Sequence, residues 1–143
     1  MASSIAPVPT TTGASFAALL PVTGRVLMSA LFLVSGVGKL AAPAATLATI
    51  EAAGLPLPTL SYGAATLVEI GGGLLLIAGY RTRLVALALA LFAVATAMTF
   101  HAALGDQNQM FHFLKSLAVA GGLLQVAAFG AGRLSLDARQ GRA

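Results

Sequence analysis

The stretch Thr59–Leu104 reads TLSYGAATLVEIGGGLLLIAGYRTRLVALALALFAVATAMTFHAAL, and its reading decides the fold. It holds two long apolar runs, from about Thr59 to Tyr80 and from about Thr82 to Leu104, hinged at Gly79-Tyr80-Arg81-Thr82. Each is close to the roughly 20 residues that an α-helix needs to cross a bilayer core about 30 Å thick. Period-two alternation is absent, so a membrane β-barrel is not supported. The pair reads as a transmembrane helical hairpin closed by a tight turn, with Thr82 placed to cap the second helix.

Two more apolar runs flank the hairpin, from about Phe16 to Ala41 and from about Phe111 to Gly130. Pro43, Gly54, Pro56 and Pro58 make the first connection a loop, and Pro58 keeps one helix from running into the next. Gly105 to Gln109 is a polar turn in which Asp106 or Asn108 can cap the last span. The expectation is an all-α, integral membrane four-helix bundle over residues 16–132. Residues 1–15, small and polar with no basic start of a signal peptide, read as a disordered cytoplasmic tail. Residues 133–143 read as a basic cytoplasmic tail.

Composition leaves little alternative. Of 143 residues, 58% are hydrophobic and 8% charged, where a soluble domain carries about a quarter charged. A chain this short exposes much of its surface, so the deficit cannot be hidden in a core. Lipid must replace water. The chain has no cysteine, which removes disulfide chemistry and thiolate-ligated clusters or zinc. The net charge of +4 does not point to nucleic acid, because the basic residues sit at helix ends and form no face with interleaved aromatics. Arg25, Arg81, Arg83, Arg133, Arg139 and Arg142 fall on one side if the spans alternate, and only Lys39 and Lys115 on the other. The positive-inside rule then places both termini in the cytoplasm.

Lys39, Glu69, His101, Lys115 and Gln125 lie within the apolar runs, where a charge costs at least about 2.5–3.5 kcal/mol at the helix centre. Glu69 is roughly 15 Å into its helix, near the midplane. It needs a cation or a proton, and the two lysines are the nearby cations. Lys39, His101 and Lys115 all lie toward the outer end, so a shared polar site of Glu69, His101, Lys39 and Lys115 is expected in the outer half. The lysines can also simply snorkel to headgroups. Helical spacing puts Arg25, Ser29, Phe32, Gly36 and Lys39 on one stripe, and Tyr62, Thr66, Glu69, Gly72 and Gly73 on another. Lys115, Ala118 and Gly122 share a third. Small residues on such stripes let helices approach closely in lipid. The run Gly71-Gly72-Gly73 reads as packing, not as a phosphate cradle. His101 and His112 are too far apart on the chain, and too poor in further ligands, to argue a metal site.

From Gly24 to Asp137 the chain resembles the DoxX family of small four-helix bacterial membrane proteins. The resemblance is carried by Gly24-Arg25, by FLVSGVGKL at Phe32–Leu40, by Gly54-Leu55-Pro56, and by Glu69 with the glycines after it. Thr82-Arg83, His101, Gln109-Met110, Phe113-Leu114-Lys115 and Leu136-Asp137 complete it. Many relatives have Asn after the lysine of the last span, where this chain has Ser116. The resemblance implies a multi-pass protein of the bacterial inner membrane, loosely tied to redox metabolism. Some relatives are subunits of thiosulfate:quinone oxidoreductases, and others are named oxidoreductases with no assigned substrate.

Three functions compete. In a quinone-linked redox component, His101, Lys39 and Lys115 would donate hydrogen bonds to quinone carbonyls and Glu69 would carry the proton. No flavin, haem or metal motif is visible, so electrons would come from a soluble or membrane redox partner. A non-catalytic anchor for a soluble enzyme is the second reading. A proton-coupled small-molecule transporter is the third. Oligomerisation is left open.

Overall fold

The computed structural model describes residues 11–142. Among them are six α-helices and no strand: α1 (Thr11–Ala41), α2 (Pro43–Ala52), α3 (Pro58–Ala78), α4 (Thr82–Phe100), α5 (Gln107–Phe129) and α6 (Leu136–Arg139). Four are long and apolar enough to cross a membrane: α1 over Ala17–Ala41, and α3, α4 and α5. The protein is therefore the all-α membrane bundle that its composition requires.

Two elements differ from the sequence reading. Helix α1 starts at Thr11, upstream of Phe16, because no proline lies between Pro9 and Pro21 and a helix already formed over the apolar segment can extend backward through Gly13. Pro21 sits inside the helix. Residues 1–10 of the expected tail lie outside the described residues. The first connection is not a plain loop either, since α2 occupies Pro43–Ala52. Pro43 stands in the first turn of α2, where a missing N–H costs nothing and its fixed φ favours the helix. A proline read as a breaker is here a starter.

α1 packs most extensively on α3, and α4 on α5, with α3 against α4 joining the two pairs. Leu76, Leu89 and Leu123 lie at the centre, with Ala86, Ala93 and Ala120 filling the narrow space between backbones. Val34, Leu67 and Leu91 point outward, 73%, 72% and 64% exposed, which suits acyl chains and would be untenable in water.

In lipid no hydrophobic force drives helices together, so association depends on close fit. The glycines supply it. A Cβ on Gly36 would come within 2.6 Å of Ile70, one on Gly72 within 2.8 Å of Leu89, and one on Gly73 within 2.9 Å of Leu33. A Cβ on Gly122 would run into Met28. Gly71 meets only Leu67 of its own helix. We expect Gly72→Leu to lose about 1–3 kcal/mol by overpacking, while Leu75→Ile, at a position 40% exposed, changes little. Thermal unfolding in mild detergent compares them; equal melting temperatures would remove the close-crossing argument.

The basic end of the bundle is closed by the segment after α5. Helix α3 ends at Gly79 in the left-handed conformation, φ 67°, with the Gly79 N–H donating to Leu76 O and the Tyr80 N–H to Leu75 O. That is a Schellman cap, which glycine forms without steric cost. Arg81, also left-handed at φ 45°, precedes α4, so Thr82 is the first helical residue and not the cap expected of it. The cap comes from far along the chain. Asp137 accepts the Arg81 N–H at 2.8 Å and the Thr82 N–H at 2.7 Å, and its own N–H donates to Gly79 O at 2.8 Å. Asp106 does cap α5 as expected, accepting the Gln109 N–H at 2.9 Å.

Candidate functional site

Gly36 places the first site. Its lack of a side chain brings α1 against Ile70 and the Cβ of Glu69, so the residues flanking it on α1 meet the carboxylate. Lys39 Nζ lies 2.7 Å from Glu69 Oε2 and 2.8 Å from Oε1. Ser35 Oγ accepts from Lys39 Nζ at 3.0 Å and donates to Glu69 Oε1 at 3.0 Å. The three groups close a ring of hydrogen bonds. The Glu69 side chain is 6% exposed and that of Lys39 23%, so the carboxylate is enclosed while the lysine side chain is partly exposed.

Tyr62 anchors the same corner. The Lys39 carbonyl would ordinarily accept from the residue four positions on, but that is Pro43, which has no N–H. The Tyr62 hydroxyl donates to it instead, at 3.2 Å. One bond thereby ties the end of α1 to α3 and satisfies a carbonyl that the proline would have orphaned.

A second polar group occupies the α4–α5 connection. His101 ends α4, and its Nδ1 is 2.7 Å from Gln109 Oε1, a bond in which the imidazole is the donor. His112 stacks on His101, ring centroids 5.0 Å apart and planes 21° from parallel. Lys115 Nζ lies 3.2 Å from His112 Nδ1; an ammonium has no lone pair, so the imidazole nitrogen accepts. Lys115 is exposed, as is Ala118 on its stripe, and only Gly122 turns inward. Ser116 donates to the His112 carbonyl at 3.0 Å, within its own helix.

The residues expected to share one site are thus arranged as two groups. Lys39 and Glu69 are joined directly and through Ser35; His101 and Lys115 are linked through His112, and Gln109 holds His101 alone. Among the described residues no hydrogen bond or ion pair connects the groups, and no set of three His, Cys, Asp or Glu side chains is arranged to hold a metal. Ser35 was not singled out by sequence, although it lies one helical turn before Lys39.

Arg25 has a role that its place near a helix end did not suggest. It is 1% exposed, and its guanidinium donates to Leu76 O at 3.2 Å, Ile77 O at 3.0 Å and Leu134 O at 2.7 Å. A cation at the C-terminus of α3 meets the negative end of the helix dipole and its unpaired carbonyls. The signal was present in its stripe, since Ser29, Phe32 and Gly36 are all buried too.

The family model for DoxX matches residues 20–102. The chain belongs to the DoxX family. DoxX relatives in Escherichia coli (strain K12) include the inner membrane protein YqjF, 38% identical over 116 residues, covering 79% of this chain and 85% of the relative. The inner membrane protein YphA is 29% identical over 126 residues, covering 85% and 90%. No solved structure matches the chain. The Gly36 crossing, the Lys39–Glu69 pair and His101 all lie within the DoxX match. With four spans and inner-membrane relatives, this DoxX protein is a multi-pass protein of the inner membrane.

Proposed function

We propose that the protein is a quinone-linked redox component of the inner membrane, with both termini cytoplasmic. The Lys39–Ser35–Glu69 ring is its proton-handling site. The observation that carries this reading is the unequal exposure of the pair: Glu69 is enclosed near the midplane while Lys39 is 23% exposed beside it. A quinone carbonyl approaching from lipid would meet the ammonium first, and Lys39 can donate to it while Glu69 holds the compensating charge. Reduction to quinol takes two electrons and two protons. The electrons would come from a redox partner protein, and the protons would pass through Lys39 and Glu69. His101 and Lys115 add donors at the α4–α5 connection.

The test is whether quinone co-purifies with the protein in mild detergent. We expect bound ubiquinone or menaquinone in the wild type, and at least about a tenfold loss in Lys39→Met, the change expected when a hydrogen bond from a charged group is removed. Quinone absent from both, or equal in both, would exclude the reading.

One observation favours a second reading, a non-catalytic anchor for a soluble enzyme. Lys39, Ser35 and Glu69 already satisfy one another, so the ring is complete as a structural fastening. In that case a partner enzyme, and no quinone, would accompany the purified protein.

A further inference from the structure

At the basic end of the bundle a cleft of about 290 Å³ is lined by Arg81, Thr82, Arg83, Leu84, Asp137 and Arg142. Three arginines face one carboxylate there, and that carboxylate is already committed to the N–H groups of Arg81 and Thr82. Helix α4 makes its first backbone bond from Val85 to Arg81, so its opening N–H groups need other acceptors. Asp137 serves Arg81 and Thr82; those of Arg83 and Leu84 have no acceptor among the described residues.

The positive charge is not absorbed locally. Tyr80 sits beside these arginines, its hydroxyl held below the usual tyrosine range by Arg81 first and then by Arg142. Arg83 reaches the end of α5, its Nε 3.5 Å from the place a Cβ on Gly130 would occupy. Arg81, Arg83 and Arg142 are all exposed.

We propose that this cleft seats the phosphate of an anionic phospholipid headgroup. Guanidinium groups together with free N–H groups at a helix start are the donors a phosphate oxygen takes. Free phosphate offers the same oxygens, but the position selects lipid. The cleft lies at the turn joining two spans, which is headgroup level. One wall is Leu84, 62% exposed, facing acyl chains. Tyr80 beside it is a residue type enriched at the membrane–water boundary.

The experiment places the full chain in phosphatidylcholine nanodiscs with or without phosphatidylglycerol or cardiolipin. Native mass spectrometry reads retained lipid, and ¹³C-labelled tyrosine reads the site. The chain has two tyrosines, and Tyr62, beside Lys39, is the internal control. We expect anionic lipid to be retained by the wild type and to move the Tyr80 resonance but not that of Tyr62. Arg81→Gln with Arg142→Gln should weaken retention roughly tenfold or more, since each arginine near an anionic surface contributes appreciably. Arg133→Gln with Arg139→Gln removes equal charge outside the cleft and should change retention far less. Equal losses in the two double variants would overturn the proposal, leaving only general attraction. So would inorganic phosphate moving the Tyr80 resonance as fully as anionic lipid does, or an unmoved Tyr80 resonance in wild-type protein, a reading that needs no variant to fold.

Discussion

Asp137→Ala is expected to destabilise the bundle by about 2–4 kcal/mol, although the residue lies beyond the last span. Asp137 is 5% exposed and accepts two backbone N–H groups at the start of α4. Truncating a helix cap costs about 0.5–2 kcal/mol. Hydrogen bonds to a charged acceptor contribute about 1.5–3 kcal/mol each, and the stranded N–H groups add their own penalty. Asp137→Asn keeps one acceptor oxygen and should recover part of the loss. Thermal unfolding in detergent measures both.

The same residue predicts a pH response. Burial pushes the Asp137 carboxyl up, but the Thr82 N–H, the Arg81 N–H and the charge of Arg142 outweigh it. The carboxyl is left below the usual carboxylate range. A depressed folded value means the contribution is complete above the unfolded value of about 3.9 and fades as pH falls through the folded one. The gap between wild type and Asp137→Ala should therefore be widest at neutral pH and narrow below about pH 4. A gap that stays constant into acid would mean that the ionised carboxylate is not what holds the turn.

What could be read from sequence divides along the range of the interaction. Span lengths and two of the inward stripes follow from local periodicity, and Gly36 and Gly72 face neighbours because their stripes do, whereas Gly122 turns inward from a stripe whose Lys115 and Ala118 are exposed. Glu69 announced a cationic partner by depth alone, and Lys39 meets it at 2.7 Å. Choosing between Lys39 and Lys115 was beyond local reasoning. The choice depends on α1 packing on α3 and on which way Lys115 turns, and it turns outward. The cap of α4 was misread for the same reason. Thr82 is a sound local cap, but Arg81 takes a left-handed turn and the acceptor arrives from Asp137, 55 positions away. Helix α2 was lost because proline was weighed only as a breaker. By its charge Arg25 reads as one of the helix-end basic residues, although the stripe it shares with Ser29, Phe32 and Gly36 runs inward. Its three carbonyl partners lie on α3 and the segment after α5, which no spacing within α1 reveals.

Glu69→Gln is expected to cost about 2–3 kcal/mol, and the partition of that loss is what tests the candidate site. The Lys39 ammonium touches both carboxylate oxygens, so removing the negative charge leaves a cation in a poorly hydrated place. Breaking one side of a buried pair costs about 3–5 kcal/mol. The 23% exposure of Lys39 lets it swing toward headgroups and places the expectation at or below the lower end of that range. Glutamine is nearly isosteric and still accepts from Ser35, so the loss would report charge rather than shape. Lys39→Met in the same background removes the stranded cation and should recover part of the stability. Coupling between neighbours of this kind is about 0.5–3 kcal/mol. Both variants and their combination are measured by unfolding in detergent, with quinone content read from the same preparations. If Glu69→Gln is as stable as wild type, the two charges do not depend on each other and the proton-handling role loses its basis. If the double variant regains stability yet retains quinone at the wild-type level, the pair is a fastening and quinone is held elsewhere than at Lys39 and Glu69. Recovery of stability with loss of quinone is the outcome that a redox site built on Lys39 and Glu69 requires.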